Sequence, residues 1–317
     1  MRPPAFWQTD GLLPRLLAPI AAAAAAVTAR RVAGPGWRAP APVLCCGNAG
    51  VGGAGKTTLV LDLARRLQRR GIAVHCLSRG YGGRVRGVLR VDPIRHDAAQ
   101  VGDEPMLLAE VAPTWVGADR AAAARAAVAA GAKALLMDDG LQNPSLQKTA
   151  SLLVIDGAVG FGNGRVMPAG PLREPAQAAA ARCRAGVLIG PDRARARLAV
   201  PGLPLLEASL VPDRRLDGVR VFALTGIARP GKFHATLRDA GAELAGFRAF
   251  PDHHRFSPRE LDRVLADAAE LHAIPLTTPK DAVRMPDIVR AVVEVLGVRL
   301  EWRDEAALNR LLDEVFP

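Results

Sequence analysis

The chain has 317 residues, 50% hydrophobic and 23% charged, which is enough to bury full cores in two domains and too apolar for a disordered polymer. Its 42 basic residues exceed its 31 acidic ones by 11, a balance that suits an anionic surface or a phosphorylated ligand. With one tyrosine and 4% aromatics, the stacking platforms of single-strand nucleic-acid binders are hard to build, and no nucleic-acid partner is expected.

The first segment, 1–34, carries an alanine-heavy apolar stretch from Leu12 to Val32, with Arg15 near its start and Arg30 and Arg31 at its end. Its uninterrupted part, Leu16 to Ala29, is shorter than the ~20 residues a spanning helix needs, and it contains Pro19. The expectation is an interfacial helix whose leucines and Trp7 dip into a headgroup boundary while the arginines meet lipid phosphates. A cleaved secretory signal and a plain packing helix are the rival readings.

From Pro42, short β-rich runs alternate with amphipathic helices: PVLCC, a helix from Lys56 to about Arg70 stopped by Gly71, then IAVHCLS, ALLMDD, SLLVID and GVLIG. This alternation predicts a mostly parallel sheet with helices on both faces over 35–216. Cys45, Cys46, Cys76 and Cys183 form no CxxC pair and read as reduced, small hydrophobes. A loop-rich stretch from Gly157 to Pro175 interrupts the pattern, and a connection falls within Asp192 to Asp217. A smaller C-terminal α/β domain, 217–317, opens near Val219 with VRVFALTGI. Within it Ser257, Pro258 and Glu260 predict a capping box and a helix running to about Leu271.

One motif fixes a chemistry. Gly50, Val51, Gly52, Gly53, Ala54, Gly55, Lys56 and Thr57 match the phosphate-loop pattern between a strand and a helix, with Thr58 following in the first helical turn. Glycines there let backbone N–H groups wrap phosphate oxygens, Lys56 reaches the β and γ phosphates, and the Thr57 hydroxyl ligates Mg²⁺. Asp138 and Asp139 end the run ALLMDD; one is expected to hold magnesium and the other to position the acceptor, and Asp138 is taken as the metal ligand. No Asn/Thr-Lys-x-Asp element occurs, so ATP is preferred over GTP. On the loop alone, a membrane-associated P-loop ATPase or GTPase acting as a partner-binding switch stays open beside a kinase.

The runs SRGYGG (78–83), VGDEP (101–105), DDGLQ (138–142), GFGNGRVMPAGPLRE (160–174), FPDHH (250–254) and TTPKDAVR (277–284) occur in this order. Together with the phosphate loop they closely resemble the tetraacyldisaccharide 4′-kinases, the lipid A 4′-kinases of Gram-negative bacteria. The resemblance implies a P-loop kinase that moves the ATP γ-phosphate onto the 4′-hydroxyl of a tetraacyldisaccharide 1-phosphate, forming lipid IVA at the cytoplasmic face of the inner membrane. It implies no obligate protein partner and a small C-terminal domain that closes over the site. Asp103 falls on the catalytic base and His253 on its partner, with His254 an alternative; Lys56 and Asp139 complete the catalytic set. Arg79, Tyr81, Glu104, Arg120, Gln142, Asn163, Arg173 and Glu174 fall where the disaccharide and its phosphate would be held. Ala54 and Thr58 depart from the family pattern, which carries Thr or Asn and then Pro there.

Overall fold

The computed structural model describes residues 4–317. Among the described residues thirteen strands form two sheets: β1 (Val43–Gly47), β2 (Val74–Ser78), β3 (Leu89–Arg90), β4 (Thr114–Val116), β5 (Ala134–Asp138), β6 (Ala150–Asp156), β7 (Ala185–Ile189), β8 (Leu205–Pro212), β9 (Arg220–Thr225), β10 (Glu243–Ala249), β11 (Ile274–Thr277), β12 (Glu294–Val295) and β13 (Val298–Trp302). The larger sheet has nine strands in the order β13-β8-β7-β6-β1-β5-β2-β4-β3, and the smaller has four in the order β10-β9-β11-β12. Every pairing in the interior of the large sheet is parallel; only the flanking pairs β13/β8 and β3/β4 run antiparallel.

Strand β1 sits between β5 and β6, and every residue in it is buried. Because alternate residues point to opposite faces, Leu44 and Cys46 join one core with Leu59, Leu63 and Leu67 of the helix Lys56–Arg69. Val43 and Cys45 face a second core with Ala123, Ala127, Leu141 and Leu146. Burial of each such leucine contributes about 1.5–3 kcal/mol. It also pushes the Cys45 thiol up to about 11 and the Cys76 thiol to about 12, so these cysteines pack as inert side chains.

The N-terminal stretch differs from a single helix. A 3₁₀ turn at Ala5–Gln8 precedes helices Leu12–Leu16 and Ala18–Val32, and Pro19 lies in the first turn of the latter, where its missing N–H costs nothing. Leu12, Leu16, Ile20 and Val27 are 76%, 66%, 59% and 65% exposed, while Ala21 packs into the second core. Among the described residues no helix is long and apolar enough to cross a membrane.

The C-terminal unit also differs from the expected 217–317 span. Strand β13 leaves the small sheet and pairs antiparallel with β8 of the large one, Val298 opposite Pro212. The helix Glu305–Val315 then docks beside Lys56–Arg69: Arg66 donates to both Glu305 oxygens at 2.7 and 3.0 Å, and Trp302 Nε1 donates to Asp62 at 3.0 Å. Leu308, Leu312 and Phe316 finish the first core. The pairing and the apolar seam place 298–317 with the large sheet, leaving a small unit of roughly 219–296.

Candidate active site

The phosphate loop leaves β1 at Asn48 and enters its helix through Gly55, whose φ of +95° makes the left-handed turn; a side chain there would meet Ile189 Cδ1 at 2.8 Å. Gly52 also has positive φ, +108°, and it and Gly53 face solvent while Ala54 is buried. Lys56 Nζ donates to the buried Asn48 Oδ1 at 3.0 Å and lies 3.8 Å from Asp139. Residues of the long loop brace the other side: Val51 N–H donates to Pro171 O at 2.9 Å and Arg173 N–H to Ala49 O at 2.7 Å.

Asp138 ends β5 and Asp139 follows it, beside this loop. Thr57 Oγ1 donates to Asp138 Oδ2 at 3.0 Å, whereas the buried Asp138 Oδ1 has no hydrogen-bond partner among the described residues. Burial pushes the Asp138 carboxyl up to about 7, against the pull of Lys56. A buried, unpartnered carboxylate oxygen next to a threonine hydroxyl at a phosphate loop fits a hard divalent cation, which would satisfy that oxygen and favour the ionised form. Asp139 adopts φ +54° and accepts from Arg173 Nη1 at 2.8 Å. Burial acts upward on its carboxyl too, but Lys56 and Arg173 together outweigh it and hold Asp139 below the ordinary carboxylate value.

Behind Arg173 lies a buried polar chain. Gln142 Nε2 donates to Asn48 O at 3.0 Å and to Glu174 Oε1 at 2.8 Å, and Arg182 donates to both Glu174 oxygens at 2.7 and 2.8 Å. Gln142 and Glu174 therefore support the loop rather than face open space.

A second cluster is assembled from both units. Asp103 starts the helix Asp103–Ala109 after Gly102, whose φ is +94°; a side chain at Gly102 would meet Tyr81 O at 2.6 Å, and one at Gly80 would meet Val116 Cγ1 at 2.3 Å. These two glycines let the Arg79–Tyr81 turn lie against the start of that helix. From the small unit, His253 with φ +56° brings Nδ1 to 2.9 Å from Asp103 Oδ2, and its ring meets Tyr81 edge-on at 5.6 Å between centroids. Lys280 Nζ stands 3.4 Å from His253 Nε2 and 2.7 Å from Glu104. Since an ammonium only donates, Nε2 is the acceptor there and Nδ1 carries the proton that is donated to Asp103.

Arg284 Nε, 3.3 Å from the same Asp103 oxygen, adds positive charge. Its guanidinium is held by His254 O at 2.9 Å and by the fully buried Asp281, which also accepts from Thr225 Oγ1 at 2.8 Å and Gly226 N at 2.8 Å. His254 turns away: it stacks on Phe250 at 4.9 Å and reaches Glu260 at 3.1 Å. The predicted capping box at Ser257 and Glu260 is present and starts the helix Pro258–Glu270.

The remaining expected binding residues divide. Arg79 and Tyr81 are exposed beside the Asp103 cluster. Arg120 is 2% exposed, donates to Gly117 O and leaves Nε without a partner among the described residues; burial lowers it to about 10. It lies beneath the two carboxylates rather than on the open side. Asn163 is not brought to the site: its amide donates to Phe6 O, Thr9 O and Ala169 O at 3.3, 3.2 and 2.9 Å, fastening the N-terminal segment to the long loop. Lys280, Asp281 and Arg284 were unassigned by sequence reasoning, although the run TTPKDAVR contains all three; Asn48 had no signal beyond its position before the loop.

A glycine-rich loop between a central parallel strand and a helix, with two acidic residues at the end of the neighbouring strand, defines a P-loop nucleotide-binding protein. A family model described as Tetraacyldisaccharide-1-P 4′-kinase matches residues 13–317. The tetraacyldisaccharide 4′-kinase of Gluconacetobacter diazotrophicus is 57% identical over 319 residues, covering 99% of this chain and 98% of that protein. The one from Rhodospirillum centenum is 52% identical over 323 residues, covering 98% of this chain and 96% of that protein. A crystal structure of LpxK from Aquifex aeolicus, an "apo" form in complex with ATP, aligns with a TM-score of 0.78 and 26% identity, covering 96% of this chain and 100% of that one. The chain belongs to the tetraacyldisaccharide-1-P 4′-kinase family.

Proposed function

We propose that the chain transfers the γ-phosphate of ATP to the 4′-hydroxyl of a tetraacyldisaccharide 1-phosphate, with Asp103 accepting the hydroxyl proton. Family membership supports the reaction, and the ATP in the related crystal structure supports the nucleotide. The observation that carries the assignment of roles is the 2.9 Å approach of His253 Nδ1 to Asp103 Oδ2.

Lys56 and the loop N–H groups hold the β and γ phosphates, and Lys56 exchanges its present bond to Asn48 for them. With Oδ2 of Asp103 engaged by His253 and Arg284, its other oxygen receives the acceptor O–H. The acceptor oxygen bonds to Pγ as the bond from Pγ to the bridging oxygen breaks; ADP departs with that electron pair and the proton passes to Asp103. His253, aligned by Lys280, orients the carboxylate. Thr57 and Asp138 would hold Mg²⁺, which supplies charge neutralisation at the phosphates. Because His253 comes from the small unit, the base is set only when the two units meet.

The exposed Leu12, Leu16 and Ile20 beside Arg15 support docking of the N-terminal helices on an anionic leaflet; the cytoplasmic face of the inner membrane is the proposed location, in keeping with a lipid acceptor and the use of ATP. Incubation of the purified chain with γ-labelled ATP, Mg²⁺ and the lipid disaccharide, followed by chromatography, tests the proposal. Label in the lipid is expected; hydrolysis of ATP without labelled lipid would overturn it.

A further inference from the structure

One more cation approaches the phosphate loop, and it comes from the small unit. Arg229 precedes Pro230, the first residue of the helix Pro230–Asp239. Its Nη1 donates to Asp156 Oδ2, which also accepts from Lys232 Nζ. Asp156 ends β6, the strand beside β1, and is 4% exposed. Arg229 Nη2, which makes no hydrogen bond among the described residues, is the nearest heavy atom to the point where a side chain would begin at Gly52, 4.0 Å away. Asn48, Gly50, Gly52, Asp156 and Arg229 line one concavity.

We infer that Arg229 is a further catalytic residue, whose Nη2 edge binds the γ-phosphoryl group, and that Asp156 is the positioning residue that aims it. This rests on the reaction proposed above. One carboxylate cannot neutralise two cations, so the Asp156 cluster keeps a net positive charge facing the loop. A guanidinium gripped at one nitrogen and open at the other is pre-oriented, with little freedom left to lose when an anion arrives. Gly52 is the loop position nearest that open edge. As the acceptor O–Pγ bond forms and the Pγ–bridging oxygen bond breaks, negative charge shifts within the γ-phosphoryl group and onto the ADP oxygen. A fixed guanidinium at that place stabilises the transferring state more than bound ATP. The same residue ties nucleotide chemistry to the small unit, as His253 ties the base to it.

The test is steady-state transfer to the lipid disaccharide by wild type, Arg229→Ala and Arg229→Lys, with ATP affinity and melting temperature measured on each. Arg229→Ala is expected to lower kcat by about 10²- to 10³-fold, with KM for ATP within about threefold and partial recovery of kcat by millimolar guanidinium. Arg229→Lys keeps a charge opposite Asp156 but has no second N–H edge, so it is expected to melt near wild type while remaining slow. It carries the test should the alanine variant fail to fold. A kcat within about threefold of wild type for the lysine variant, or a loss confined to melting temperature, would mean the Arg229–Asp156 pair is only an interdomain latch and overturn the inference. Absence of transfer by the wild type would overturn the functional reading and this inference with it; normal transfer by Arg229→Ala overturns this inference alone.

Discussion

His253 Nδ1 lies 2.9 Å from Asp103 Oδ2 although 150 positions separate the two residues, so the proposed proton acceptor meets a side chain from the other unit. Asp103→Ala should lower kcat by about 10²- to 10⁴-fold while equilibrium titration still detects ATP binding. Lys56→Ala should weaken that binding as well, because it removes a charge from the phosphates themselves. Near-normal turnover by Asp103→Ala would rule out the assigned base.

His253→Ala should reduce kcat about tenfold or more with KM for ATP little changed, if the imidazole acts on the Asp103 carboxylate as proposed and not on the nucleotide. Lys280→Met should show a smaller loss in the same parameter. An effect of Lys280→Met larger than that of His253→Ala would contradict the donor order Lys280 to His253 to Asp103.

Glu174 is 2% exposed and serves as acceptor for Gln142 and Arg182. Glu174→Ala leaves both donors without their partner, and a loss of about 1–3 kcal/mol is expected in urea unfolding. An unchanged unfolding midpoint would show that water replaces the carboxylate at no cost.

The capping box gives a pH signature. Glu260 is held down to about 2 from an ordinary 4.5 by the Ser257 N–H, then by the Ser257 hydroxyl and His254. A depressed carboxylate stabilises the fold above its unfolded value, and that contribution disappears as pH falls from 4.5 towards 2. Wild type should therefore melt above Glu260→Gln at neutral pH, with the gap closing on acidification through that window. A gap that is constant with pH would mean that the carboxylate charge is immaterial.

Leu16→Asp and Ile20→Asp place charges on exposed apolar positions of the N-terminal helices. Both should reduce co-sedimentation with anionic lipid vesicles while leaving the melting temperature close to wild type. Undiminished sedimentation of both variants would detach membrane docking from this face.

The nucleotide half of the site was readable because a phosphate loop is a local object: Gly50 to Thr57 specify loop, helix start and lysine within one stretch of chain. The capping box at Ser257 and Glu260 is local in the same way. Asp103 and His253 could be paired only through the family resemblance, since no periodicity links residues that meet through tertiary packing. Arg120 and Asn163 have the residue types of ligand-binding side chains, but burial beneath the carboxylates and three backbone carbonyls set where they sit. Residues 298–317 were grouped with the C-terminal domain because a short edge strand carries no mark of its partner, and the pairing of β13 with β8 is decided by where the chain re-emerges from the small unit.

That re-emergence has a mechanical consequence. The chain enters the small unit after Pro212 and returns at Val298, its register partner, with Asp213 N–H bonded to Gly297 O at 3.1 Å. Both crossings thus share a single ribbon, and any movement of the inserted body would be confined to swinging like a door leaf about one axis. His253 and Arg229, riding the same leaf, would arrive at their targets in one stroke.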